Sequence, residues 1–237
     1  MARHSQYLET AMRIVTTDGQ QALTMQRVAD ELNCAVGTIY RYFPSKDALV
    51  AEVQRAALDL LLASYLLGQS QLDAFLAERE VESRHAALAR VVAAATFWIV
   101  ADETYPNEMK LSRGLFTDPE IVVATEEATR ILPAALRLLG LGSQRLDQAV
   151  EQGVLAPGNG IERAIALVSG LTGITLISKF ARWDEGLFDG HRHARLHLSD
   201  TLRAWGADPE DLALVDGLLL AFRDQWTLAP RVQDADR

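Results

Sequence analysis

Apolar residues recur at helical spacing along almost the whole chain, and strand-like alternation is scarce. Leu8, Ala11, Met12 and Val15 set the pattern near the start, and Leu212, Val215, Leu219, Phe222 and Trp226 repeat it near the end. Such spacing lines one face of a helix, so each segment must bury a stripe against other helices. Proline and glycine fall mainly between the periodic segments. The sequence therefore predicts an all-α protein of nine or ten helices, with no internal repeat and no low-complexity segment.

The punctuation gives expected limits. A first helix from about Ser5 to Thr17 ends at Asp18-Gly19, where glycine supplies left-handed geometry. Thr24 caps a short second helix, and Asn33-Cys34 forms a tight turn, since asparagine tolerates positive φ. A third helix spans Ala35 to Tyr42, Pro44 breaks it, and Ser45 caps a fourth that reaches about Leu67. A looser stretch, Gly68 to Ser83, follows. Further helices are expected from Arg84 to Asp102, from Asn107 to Phe116, and from Asp118-Pro119, with Pro133 kinking or restarting the last of these. Ile161 to Asp184, a segment around His193 to Trp205, and Asp208-Pro209 to about Trp226 complete the set, the last with proline in the first helical position after an aspartate cap.

Charge divides the chain. The 237 residues carry a net charge of −9, which argues against a general basic footprint for nucleic acid. Residues 1–55, however, balance six basic residues (Arg3, Arg13, Arg27, Arg41, Lys46, Arg55) against six acidic ones. The whole excess lies beyond them. The single cysteine, Cys34, excludes a disulfide framework and reads as a small apolar residue in the turn. The polar start, MARHSQYLET, has no secretory h-region, and the longest uncharged stretch, Ala164 to Ser178, is expected to be too short and too polar to span a membrane. A soluble cytoplasmic protein is the expectation.

Two short helices joined by a tight turn, followed closely by a capped long helix, are helix-turn-helix geometry. Thr24, with the free N–H groups behind it, can hold a phosphate, and Gln26 on the same turn can reach a base edge. Gly37 removes a side chain where the third helix would approach a DNA backbone. Thr38, Tyr40 and Tyr42 offer hydroxyls, and Arg41 can serve guanine or phosphate. Lys46 stands in the first turn of a helix, against the macrodipole; a DNA phosphate would resolve that conflict. Arg3 and His4 can form a minor-groove arm.

The run from Val28 to Leu49, above all Gly37-Thr38-x-Tyr40-x-Tyr42-Phe43 followed by Ser45-Lys46-Asp47-x-Leu49, resembles the signature of the TetR family of transcriptional regulators over about residues 5–55. The resemblance implies a DNA-binding domain at 1–50 and an effector-binding and dimerisation domain at 51–237. It places Ala35 and Val36 against bases, where serine and lysine are frequent in the family; apolar contact with a thymine methyl is the substitute reading. It implies an effector pocket for a small, largely apolar molecule, with Tyr65, Phe97, Trp98, Tyr105, Met109 and Phe116 as candidate walls. It also implies a homodimer packed through the penultimate and last long helices, where Leu167, Gly170, Leu171, Ile174, Leu212, Val215, Leu219 and Phe222 are the candidates. The expected function is a ligand-responsive regulator, a repressor released from its operator by its effector.

His193 and His197 stand i, i+4, with His191 and Asp189 close by, a spacing that can hold a metal. No cysteine supports that, and a solvated surface is the preferred reading; no metal, cofactor or catalytic residue is expected. Two other functions stay open: an all-α enzyme using the C-terminal cavity, and an architectural DNA-binding protein with no effector. The sequence offers no Asp-rich metal box, nucleophile elbow, Gly-rich phosphate loop or His-Glu-x-x-His for the enzyme.

Overall fold

The structure, a computed structural model, describes residues 2–117 and 125–231, the side chains of 2, 16, 115–117 and 125–130 excepted. Among the described residues there are ten α-helices and no strand. They are α1 (Ala2–Asp18), α2 (Met25–Glu31), α3 (Val36–Tyr40), α4 (Lys46–Glu78), α5 (Ser83–Thr104), α6 (Pro106–Thr117), α7 (Thr125–Glu151), α8 (Gly160–Ser178), α9 (Gly190–Ala204) and α10 (Pro209–Phe222). Short 3₁₀ turns follow α1, α8 and α10. The expected helix start at Asp118-Pro119 lies outside the described residues.

Local chemistry sets the limits of the early helices. Gly19 adopts φ 87° after α1, and its N–H donates to the Val15 carbonyl. Thr24 Oγ1 accepts from the Arg27 N–H at 3.1 Å, Asn33 takes φ 49° in the turn, and Ser45 Oγ accepts from the Ala48 N–H at 3.0 Å. Asp208 caps α10 by accepting from the Glu210 N–H at 2.7 Å, with Pro209 in the first turn.

Two expected limits differ. No loose stretch follows Leu67: α4 runs on to Glu78 because Leu72, Phe75 and Leu76 recur at helical spacing and are buried. Gly68 sits inside that helix because a Cβ there would overlap the Trp226 indole, so a close approach compensates its low helix propensity. Likewise α7 continues through Pro133.

The chain forms two compact units. The first comprises residues 1–61, 105–135 and 230–237. Its core gathers Tyr7, Ala11 and Ile14 of α1, Val28 of α2, Ile39 of α3, Phe43, and Leu49 and Val53 of α4, with Leu111 of α6. The buried Glu108 carboxylate in this unit takes two N–H donors from Arg231, at 2.7 and 3.2 Å, a fork geometry suited to a buried pair.

The second unit comprises residues 62–104 and 136–229. Its core is centred on α5, an alanine- and valine-rich helix whose small side chains let α8, α9 and α10 pack closely around it. Phe75 and Phe222 meet there with ring centroids 5.2 Å apart.

Two helices are long and apolar enough, by length and composition, to cross a membrane: α5, and α8 with its 3₁₀ extension (Gly160–Arg182). The second differs from the expectation drawn from the uncharged stretch alone, because the apolar character extends past both of its ends. Most of α5 is buried in the unit, whereas only 17% of the most apolar window of Gly160–Arg182 is. Ile161, Ile165, Leu176 and Ile177 of α8 are exposed, as are Leu214 and Leu220 of α10.

Candidate nucleic-acid interface

The first unit exposes a small set of side chains around α3. Its inner face is held by Ile39 and Phe43, both almost fully buried, so the residues between and beside them must point outward. Ala35, Gly37, Tyr40, Arg41, Tyr42 and Lys46 are exposed, while Val36 and Thr38 are half-buried. Of these, Val36 packs on the head's core, so its methyls are only partly available. Tyr40 makes no ring contact among the described residues, whereas Tyr42 leans on Tyr7 of α1.

At Gly37, as at Gly140, Gly142, Gly173 and Gly217, a built Cβ meets nothing within 4 Å and φ is not positive. Neither packing nor backbone geometry within the chain requires glycine. The residue costs helix stability, roughly 0.5–1 kcal/mol relative to alanine, and leaves a bare backbone on the outer face of α3.

The cations sort into two groups. Arg13 pairs with Glu31; Arg27 pairs with Asp18 and, at 3.4 Å, with Glu31; Arg55 pairs with Glu52 and Asp59, both at 2.8 Å. Arg3, Arg41 and Lys46 have no carboxylate partner among the described residues. Asp18, Glu31 and Glu52 thus serve Arg13, Arg27 and Arg55, while Asp47 stands beside Lys46 in the first turn of α4. Lys46 is the first residue of α4, where the helix N-terminus already carries partial positive charge.

On α2, Thr24 is exposed and its hydroxyl oxygen serves the cap, leaving its proton free to donate. Gln26 is also exposed, with its amide donating to Asp30 Oδ1 at 2.6 Å. Arg3 and His4 do not form an extended arm: both belong to α1, and the His4 ring lies 5.0 Å from that of Phe43.

The candidate effector residues fall in both units. Tyr65, Phe97 and Trp98 lie in the second, joined by ring contacts of 5.5 Å (Tyr65–Phe97) and 6.2 Å (Phe97–Trp98). Tyr65 and Trp98 border a void of about 30 Å³ among α5, α7 and α8, room for about a water molecule. The Tyr65 hydroxyl is buried, and burial raises its pKa while the Arg145 guanidinium opposes that shift. Tyr105 and Met109 are buried in the first unit, and the Phe116 side chain lies outside the described residues. A larger cavity, about 490 Å³, opens in the second unit among α5, α8, α9 and α10. Sequence reasoning missed it, because its walls come from four segments with no common motif.

Of the candidate dimer residues, Leu167, Leu171, Leu212, Val215 and Phe222 are buried in the second unit's own core, and Gly170, Ile174 and Leu219 are half-buried. A Cβ on Gly170 would overlap the His197 ring, so that glycine serves the approach of α9 to α8. The three histidines diverge: His191 pairs with Glu103, His193 Nε2 meets the Leu187 carbonyl at 2.7 Å, and His197 packs at Gly170.

Residues 8–53 match the family described as bacterial regulatory proteins, tetR family. The HTH-type transcriptional repressor KstR of Mycobacterium tuberculosis is 48% identical over 44 residues, 19% of this chain and 20% of that protein. The match thus spans about a fifth of the relative's length. A putative transcriptional regulator from Saccharomonospora viridis, solved in complex with choline, superposes with a TM-score of 0.62 at 19% identity, over 85% of this chain and 96% of that one. AibR, solved with isovaleryl coenzyme A and operator DNA, gives 0.52 at 17% identity, over 70% of this chain and 82% of its own. At such identities the structural likenesses establish the fold. Residues 8–53 thus carry the head of the tetR family of bacterial regulatory proteins.

Proposed function

We propose that this chain is a homodimeric transcriptional regulator, a repressor, that reads operator DNA with α2 and α3 and is released by a small effector bound in its second unit. The observation that carries the DNA reading is the bare outer face of α3. Among the described residues no contact requires glycine at 37, and Arg41 and Lys46 have no ion-pair partner. A phosphate backbone supplies what each of the three is missing: a close neighbour for the glycine and a counter-charge for the cations. Thr24, Gln26, Ala35, Val36, Thr38, Tyr40 and Tyr42 complete the contact surface, with Ala35 and Val36 offering apolar contact to thymine.

The exposed apolar faces of α8 and α10 support dimerisation. Ile161, Ile165, Leu176, Ile177, Leu214 and Leu220 form more outward apolar surface than a lone chain has use for. A second copy covers them, and two heads about 34 Å apart then reach successive major grooves. The cavity in the second unit favours an effector-responsive regulator over an effector-free architectural protein. A coupling of about 1–3 kcal/mol between effector and DNA is enough for a switch.

The test is genome-wide binding by the purified protein, with Gly37→Ala beside the wild type. The variant is expected to melt at the same or a higher temperature and to lose its genomic sites. Retained binding would remove the close approach to DNA from this reading, and a wild type without discrete sites would remove the regulator.

A further inference from the structure

The cavity of about 490 Å³ falls in the size range of small-molecule sites. Its apolar lining includes Ile99 of α5, Leu171 of α8, Leu198 of α9 and Trp226. The lining also includes the His191–Glu103 pair, in which each group satisfies the other. The remaining charged groups on the wall are Arg195, Arg223 and Asp216.

These three do not cancel. Neither Arg195 nor Arg223 makes a contact ion pair among the described residues. Asp216 feels Arg195 electrostatically, yet loss of water around its carboxyl outweighs that attraction and favours the neutral form. The lining thus carries two guanidiniums against one carboxylate, beside apolar side chains. Guanidinium groups recognise carboxylate and phosphate oxygens through paired N–H donors.

We infer that this cavity is a ligand site for an amphipathic anion, a molecule with an apolar acyl or ring body seated on Ile99, Leu171 and Leu198 and a carboxylate or phosphate head held by Arg195 and Arg223. The site is separate from the void beside Tyr65 and Trp98, since their linings share only Ala95 and Leu171. That its occupant acts on DNA binding rests on the regulator reading; that it binds does not.

The test is calorimetric titration of the full chain, without DNA, with decanoate, decyl phosphate and decylammonium, each below its micellar concentration. Saturable binding of either anion, at least tenfold tighter than the ammonium, is expected; which anion is tighter identifies the head group. Arg195→Gln and Arg223→Gln are each expected to weaken the anion about tenfold while the melting temperature of the unliganded protein stays unchanged. Leu198→Trp, which fills the cavity, is expected to abolish binding; Asp216→Asn is expected to strengthen it and so guards against a Leu198 variant that merely misfolds. Equal or tighter binding of the ammonium, anion binding indifferent to both arginines, or no binding of any probe would each overturn the assignment. A gel-shift assay on the same samples separates the two readings, since loss of DNA binding in the unliganded wild type bears on the regulator alone.

Discussion

The ring of Tyr42 meets that of Tyr7 edge-on, with centroids 5.1 Å apart and planes at 64°. Tyr7 is buried in α1 and Tyr42 half-emerges just past α3, so the contact anchors the outer end of the reading helix to the head's core. An edge-to-face pair contributes about 0.5–1.5 kcal/mol beyond its buried area. Tyr42→Phe keeps the ring and removes only the hydroxyl. Its melting temperature is expected to match the wild type, while affinity for a genomic fragment falls about 2- to 10-fold, the scale of one hydrogen bond. Tyr7→Ala, by contrast, is expected to cost about 3–5 kcal/mol of stability. Thermal melts and fluorescence anisotropy on the same preparations check both; an unchanged affinity for Tyr42→Phe would remove its hydroxyl from the interface.

Lys46 opens α4 and sits where the helix favours an anion. Lys46→Ala is therefore expected to leave stability unchanged or raise it by about 0.3–1 kcal/mol. DNA binding is expected to move the other way. Losing one phosphate contact weakens binding almost uniformly across sequences and lowers the slope of log affinity against log salt by about 0.9. Tyr40→Phe, a neutral donor, weakens binding without changing that slope by a full contact. An unaltered salt slope in the lysine variant would refute the phosphate role.

Two aspartates are expected to give opposite pH responses. The Asp216 carboxyl is raised, chiefly by desolvation with Arg195 opposing, so the folded state binds its proton more tightly than the unfolded chain does. Its contribution to stability is present below about pH 3.9 and is lost as pH rises through the raised value. Asp216→Asn should thus melt higher than wild type near neutrality and converge with it in acid. Asp189 caps α9, and the Arg192 N–H holds its carboxyl below the usual range. Its contribution is present above about pH 3.9 and is lost as pH falls through the lowered value, so Asp189→Ala should melt lower near neutrality and converge in acid. Melting curves at matched pH decide both; parallel curves for either variant would refute its shift.

The head was legible because its signals act within a few residues. Thr24, Asn33 and Ser45 each do locally what their chemistry suggests, and the partners they need lie two to four positions away. Gly68 was not legible, because the indole that makes it useful belongs to Trp226, far along the chain. The same applies to the ion pairs: composition shows six cations and six anions in the first segment, but only the fold shows that Arg13, Arg27 and Arg55 are the paired ones. On α8 the difficulty is one of pattern. Nearly every position from Ala164 to Ile177 is apolar or small, so periodicity cannot say which face is inward. The structure buries Ala164, Leu167 and Leu171 and leaves Ile161, Ile165, Leu176 and Ile177 outside.

That choice of face separates packing within a chain from packing between chains. Gly170 faces His197 of α9, and Gly173, less than one turn further on, has nothing within 4 Å of a built Cβ. Gly170→Ala should cost about 1–3 kcal/mol by overpacking and leave the oligomeric state unchanged. Ile165→Arg combined with Leu220→Arg changes only exposed positions, so helix content should hold while the dimer dissociates at concentrations where the wild type is paired. Affinity for a site with two half-sites should then fall far more than affinity for one half-site, because the second head no longer binds as part of the same molecule. Sedimentation and anisotropy on single and paired half-sites measure the two effects. If the arginine variant stays dimeric, the interface lies elsewhere and the exposed face of α8 needs another partner; if Gly170→Ala alone dissociates the dimer, the glycine acts between chains after all.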